Sequence, residues 1–162
     1  MTTQIALDAE CIDKLDLSPA QIEIDKFLQQ DEMSSGDKQI RFVINYPQSP
    51  DDPRELSEIP EIRLWFIRLD SQYPWLPLIL DWEAGELARY TAMLVPHQFN
   101  REGIRYNPEA LEIFVMQKLF VLTSWTQQKG MHSLSKLKFF AQMLGYELED
   151  DFFELILSHP DV

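Results

Sequence analysis

Apolar and polar residues alternate most cleanly in "QIRFVINYP", where Ile40, Phe42, Ile44 and Tyr46 point one way and Gln39, Arg41 and Asn45 the other, the two-residue period of a half-buried strand. "TQIALDA" near the start reads as a second, short strand, and "WLPLILDW" as a third, with Leu76, Leu78, Leu80 and Trp82 on one face and Pro77 at its start or on an edge. Helical spacing governs most of the rest. Ser18 as N-cap, Pro19 at the first position and Gln21 in a capping-box relation predict a helix from Pro19 to about Gln30. In "EIRLWFIRLDSQY" the dense apolar run also suits a buried strand, but Ile62, Trp65, Phe66, Leu69 and Tyr73 fit a helix face and Pro60 stands near its start, so a helix is expected. "EAGELARYTAML" predicts a helix ending before Pro96, weakened in its first turn by Gly85.

Asn107 caps a long helix beginning at Pro108. Leu137, Phe140, Ala141 and Leu144 give one helical face of "SLSKLKFFAQMLG", with Gly145 as its stop. "DDFFELIL" predicts a last helix, with Asp151 and Glu154 in cap positions and Phe152, Phe153, Ile156 and Leu157 in two adjacent apolar pairs. "DEMSSGDK" reads as a polar loop, and "PQSPDDPRELSEIP" as an ordered or semi-ordered acidic one held extended or turned by its prolines. These elements predict an α+β chain: a single compact helix-rich domain over residues 1–162 with a small sheet of two or three strands. Residues 1–38 form an acidic N-terminal region with one helix, and residues 39–158 form the core.

Composition sharpens this picture in three ways. The 162 residues are 45% hydrophobic, enough to bury a core. The net charge of −13 repels a phosphate backbone and an anionic membrane surface, so neither nucleic acid nor stable membrane insertion is expected. The charge is uneven: residues 1–61 hold 14 acids and 5 bases, residues 62–146 hold 7 and 9, and residues 147–162 hold 6 and none. Acidic ends turn to water or steer the chain toward a basic protein partner. "ALEIFVMQKLFVLTSW" is interrupted by Glu112, Gln117 and Lys118 and reads as a core helix. The lone Cys11 makes no internal disulfide and reads as a small buried side chain, and the acidic start "MTTQIALDAECIDKLDL" shows no leader pattern. A bacterial cytoplasm is the expected location.

Chemistry is sparse. His97, His132 and His159 lack a second ligand at metal spacing, and phosphate-loop, nucleophile-elbow and HExxH patterns are missing, so neither metal nor cofactor is expected. The most enzyme-like constellation is "LDWEAGE", with Asp81 at a strand end and Glu83 and Glu86 in the first helical turn. Its structural reading has the two glutamates favouring the helix N-terminus and Asp81 capping it or pairing with Arg89 or Arg68. His97, just past Pro96, suits the last helical carbonyls or an exposed recognition role. Trp75, between Pro74 and Pro77, is the first choice for an exposed aromatic anchor.

Two blocks, "DPRELSEIPEIRLWFIRLDSQYPWLPLILDWEAGELARYTAMLVPHQF" and "EGIRYNPEALEIFVMQKLFVL", carry a resemblance to the cyanobacterial and chloroplast chlororespiratory reduction family, sixth member, over roughly Gln39 to Leu157. The resemblance implies a non-catalytic assembly factor of the photosynthetic NAD(P)H dehydrogenase-like complex. It implies binding to an immature iron–sulfur subunit I while the peripheral arm is built. It brings no catalytic residues. The expected contact residues are charged or aromatic positions in the matching blocks: Asp52, Pro53, Arg54, Glu55, Tyr73, Pro74, Trp75, Asp81, His97, Gln98 and Phe99. The competing expectation is a small hydrolase or transferase using Asp81 and His97, recognisable by a pocket in which Asp81, Glu86 and His97 converge.

Overall fold

Strand β1 (Thr2–Asp8) runs parallel to β2 (Gln39–Asn45), with Ile5 opposite Phe42 and Leu7 opposite Ile44. Paired residues share a face of the pleat, so Ile5, Leu7, Ile40 and Phe42 are buried together, as the alternation in the second segment predicts for Ile40 and Phe42. The computed structural model describes residues 2–29, 39–130 and 134–158; the polar loop expected over Asp31–Lys38, together with His132 and His159, lies outside the described residues.

The chain divides into two compact units, Met1–Leu94 and Val95–Val162. Among the described residues of the first are β1, helices α1 (Ala9–Asp13) and α2 (Ser18–Gln29), β2, α3 (Pro60–Gln72) and α4 (Glu86–Leu94), with single 3-10 turns at Leu56–Glu58 and Leu76–Ile79. Asp8 caps α1 by accepting the Cys11 N–H at 2.9 Å. Cys11 is buried, as expected, and that burial pushes its thiol pKa up. The chain leaves α1 through Leu15, which has a positive φ of 54°, and the Asp16 N–H closes the turn onto the Cys11 carbonyl at 2.8 Å.

Helix α3 supplies Ile62, Trp65, Phe66 and Leu69 to the core and α4 supplies Leu87, Tyr90 and Met93. Phe66 lies edge-on to Phe42, Trp65 and Tyr90, with ring centroids 5.1, 5.0 and 5.9 Å away. This herringbone suits the aromatic quadrupole and joins β2, α3 and α4. Arg63 of α3 fastens the Leu56–Glu58 turn and α4 by donating through Nη1 to the Ser57 and Ala92 carbonyls at 2.9 and 2.8 Å.

Three local expectations are corrected. "WLPLILDW" is not a strand: Leu76–Ile79 forms a 3-10 turn whose four residues are all buried, and only Leu80 bridges Ile40 of β2. Pro74 and Pro77 remove two backbone donors and fix φ near the helical value, which favours a tight turn over a ladder. The capping box at Ser18 and Gln21 does not form. Ser18 is the first residue of α2, its hydroxyl donates to the Asp16 carboxylate, and the Gln21 amide donates to Gln72 Oε1 at 3.2 Å. A carboxylate two residues away is a stronger acceptor than the Ser18 hydroxyl is a cap. Helix α4 begins at Glu86 rather than Glu83, because Gly85 takes a φ of 82° that closes a separate turn before it.

The second unit opens with an antiparallel hairpin, β3 (His97–Asn100) and β4 (Gly103–Tyr106), followed by α5 (Pro108–Gln128), α6 (Leu134–Met143) and α7 (Asp150–Ser158). Asn107 caps α5 as expected, accepting the Ala110 N–H at 3.0 Å. Leu137, Phe140 and Ala141 are buried from α6, which ends where Gly145 adopts a φ of 93° and the Tyr146 N–H reaches the Ala141 carbonyl at 2.9 Å. On α7 the expected double apolar pair is only half realised: Phe153 and Ile156 are buried, while Leu157 is exposed. The result is α+β and helix-rich, with two two-stranded sheets among the described residues. Among the described residues no helix is long and apolar enough to cross a membrane.

Candidate functional site

The exposed loop before α3 is organised by its own charges. Asp52 accepts the backbone N–H of Arg54 at 3.1 Å and its guanidinium at 2.9 to 3.2 Å. These bonds hold the Asp52 carboxyl down at a pKa of about 2. The Glu55 N–H donates to Glu58 Oε1 at 2.8 Å and starts the 3-10 turn. Pro53, Arg54 and Glu55 are exposed and Asp52 is partly exposed, so this stretch is an internally hydrogen-bonded, charged surface loop.

The carboxylates of "LDWEAGE" are engaged in structure. Asp81 accepts the Ala84 N–H at 3.2 Å and the Thr2 hydroxyl at 2.9 Å, so it caps a turn and ties it to β1. Glu86 is only 2% exposed. It receives Arg89 Nη1 at 2.6 Å, Arg41 Nε at 3.8 Å and the Phe42 N–H at 3.3 Å. The space beside it, lined by Phe42, Phe66, Arg89 and Tyr90, is only about 10 Å³, room for no more than one water. Arg89 therefore pairs with Glu86 and not with Asp81. The sequence offered no signal that Glu86 would be the buried member of the cluster.

Tyr73 and Trp75 meet edge to face at 5.9 Å, with Pro74 half-buried between them. Here the structure corrects the sequence: Trp75 is 8% exposed and is a core residue, not a presented anchor. The 3-10 turn that follows draws its indole inward with Leu76, Leu78 and Ile79.

In the second unit the hairpin presents the exposed aromatic surface that the Pro-Trp corner does not. His97 pairs with Tyr106 and Phe99 with Ile104 across the strands, placing all four on one face. His97 Nδ1 lies 2.9 Å from the Val95 carbonyl and so carries the proton, the structural use foreseen for it. Its ring stands edge-on to Phe99 at 5.2 Å and to Tyr106 at 6.1 Å. Phe99 is 43% exposed and Ile104 39%, while Gln98 and Arg105 point to the opposite face. Sequence reading named His97, Gln98 and Phe99 but missed the hairpin and hence Ile104. The available signal was an Asn-Arg-Glu-Gly turn between two short alternating runs, with Asn100 Oδ1 accepting the Glu102 N–H at 2.9 Å.

Among the described residues no three His, Cys, Asp or Glu side chains converge in a group able to hold a metal ion. Compared with known proteins, residues 7–155, nearly the whole chain, match the model of one family, described as Crr6: Chlororespiratory reduction 6. No solved structure matches the chain.

Proposed function

Because the chain belongs to the chlororespiratory reduction 6 family, we propose that it is a non-catalytic assembly factor that binds an immature subunit, iron–sulfur subunit I, while the peripheral arm of the NAD(P)H dehydrogenase-like complex is built. Family membership implies a role in assembly of that complex in general. The observation that carries the reading is the extent of the family match, from residue 7 to residue 155. A binding role is supported by the surface chemistry: an apolar hairpin face at Phe99 and Ile104, and a charged loop at Asp52–Glu55 held by its internal hydrogen bonds. An assembly factor must grip apolar surface that a finished complex would cover and then release it. Modest exposed patches with polar rims suit such transient contact. The chain works in the cytoplasm on this reading, as one folded domain, with no cofactor of its own.

The experiment is affinity purification of the tagged chain from a cyanobacterial lysate at low salt with crosslinking, comparing the native sequence with Phe99→Asp/Ile104→Asp. Recovery of subunit I with the native chain, several-fold lower with the double variant, is the expected result. Recovery of no dehydrogenase subunit overturns the reading.

A further inference from the structure

From Gln98 to Arg105 every residue of the β3–β4 hairpin is exposed, so neither face of the ribbon is covered along this stretch. Its free backbone groups follow from its register. The Asn107 N–H donates to the Pro96 carbonyl at 2.9 Å, just outside the ladder. Bonded and non-bonded positions alternate in an antiparallel pair. Gln98 with Arg105 and Asn100 with Gly103 are therefore the bonded pairs, and Phe99 with Ile104 is a non-bonded one. The N–H and C=O of Ile104 turn away from β3, onto the outer edge of β4, and have no partner among the described residues. Ile104 thus exposes its side chain and its backbone groups together. A ribbon of two four-residue strands is marginal alone, and a third strand supplies the missing ladder.

Charge says what that strand must carry. Arg105, on the face opposite Ile104, is the only lysine, arginine, aspartate or glutamate on either strand. It is exposed and makes no ion pair among the described residues, although the chain holds 27 acids and 14 bases. Arg101 and Glu102 offset each other at the turn, so the ladder itself keeps one uncompensated positive charge. A second copy of the chain pairing along this edge would bring a second arginine to the same short ribbon. Like charges on neighbouring strands oppose such pairing.

We propose that the outer edge of β4 receives an extended segment of a partner protein in which apolar and acidic residues alternate. Its backbone bonds the free N–H and C=O of Ile104. Apolar side chains of the segment lie beside Ile104 and Tyr106, and a carboxylate at the alternate position lies beside Arg105. In strand addition the main-chain bonds give affinity and the alternation of side chains gives specificity. The inference rests on the assembly reading above and makes the hairpin contact a strand added to one edge.

The probe is a labelled peptide of about eight residues alternating valine and glutamate, titrated by fluorescence anisotropy, with a valine/lysine peptide as control. The expected result is saturable binding of the glutamate peptide, about tenfold weaker for the lysine peptide. A net charge of −13 by itself favours the lysine peptide, so the opposite preference reports Arg105. Arg105→Glu is expected to reverse the preference. Arg68→Glu, an equal charge change at an exposed residue of the other unit, keeps it. N-methylation of alternate peptide residues removes the donors along one edge. It is expected to abolish binding when that edge faces β4 and to spare it when that edge faces water. Equal effects of the two methylated peptides, or an unchanged preference in Arg105→Glu, overturn the proposal. A native dimer in sedimentation that Ile104→Pro, lacking the outward donor, converts to a monomer also overturns it and assigns the edge to a second copy. Co-purification separates the two readings: subunit I recovered equally with the native chain and with Arg105→Glu overturns the strand addition and leaves the assembly role standing. Failure of the native chain to recover subunit I overturns the assembly role, while the peptide titration still decides the edge.

Discussion

The indole Nε1–H of Trp65 donates to the carbonyl oxygen of Asp16 at 2.9 Å, across 49 positions of sequence. That carbonyl directly follows Leu15, the residue held at positive φ, so a side chain of α3 pins the tight turn between α1 and α2. Trp65→Phe keeps an aromatic ring but leaves the carbonyl without this donor and opens space beside Phe66. The expected loss is about 2–3 kcal/mol, seen as a lower urea midpoint at unchanged slope.

Glu86 holds two arginines and the Phe42 N–H from inside the core. Glu86→Ala strands the β2 amide and releases both guanidinium groups, with an expected cost of about 3 kcal/mol. Glu86→Gln keeps an acceptor for Phe42 and costs less. Denaturant unfolding of the two variants gives the order, and equal losses would contradict the role of the Phe42 bond.

Tyr90 is buried and donates to Asp70 Oδ1 at 3.0 Å. Burial, reinforced by the Asp70 charge, raises its phenol well above the ordinary value of 10.0. Because the folded-state value is the higher one, this contribution is complete below pH 10 and is lost as pH rises beyond it, where the unfolded chain ionises first. Tyr90→Phe is expected to flatten the loss of stability above pH 10, measured by thermal melts in alkaline buffers. It loses about 1 kcal/mol at neutral pH through the missing hydrogen bond.

Asp52 shows the opposite sign. Its folded-state pKa, lowered to about 2 by Arg54, means that its contribution is present above the ordinary carboxylate value and disappears as pH falls toward 2. Arg54→Gln is expected to return the Asp52 carboxyl carbon titration in NMR toward 3.8. An unmoved titration would show that the Arg54 guanidinium does not set it.

On the proposed assembly role, variants at Trp75 and Phe99 separate folding from binding. Trp75→Ala truncates a buried residue and is expected to cost about 3–5 kcal/mol, so lost client recovery with it would report unfolding. Phe99→Asp alters a 43% exposed side chain and is expected to keep stability within about 0.5 kcal/mol while lowering recovery of subunit I. A melting curve run beside each pull-down distinguishes them.

Most helices were legible because each carries a complete local message. Pro60 opens α3 and Ile62, Trp65, Phe66 and Leu69 trace its buried stripe, while Asn107 and Pro108 mark α5. Strand β2 was legible from its strict alternation. The candidate contact surface was less so. Asp52–Glu55 and Phe99 lie on exposed segments as expected, but an aromatic between two prolines has the same sequence signature whether it faces solvent or core, and Trp75 turned inward.

What the sequence determined by itself is the set of local periodicities, caps and turn residues, which act over three or four positions and need no knowledge of distant neighbours. The tertiary structure alone decided which of three neighbouring carboxylates is buried, since Glu86 is the one that meets Arg41 and the Phe42 amide from β2. It also decided that "LPLI" closes as a turn, that Phe99 gains Ile104 as its cross-strand neighbour, and that the Thr123 hydroxyl is buried without a hydrogen-bond partner among the described residues. The burial of Glu86 and the surroundings of Thr123 depend on groups remote in the chain, so local pattern carries no trace of them, whereas the turn and the hairpin left local signals in Pro74, Pro77 and the Asn-Arg-Glu-Gly stretch that packing made decisive.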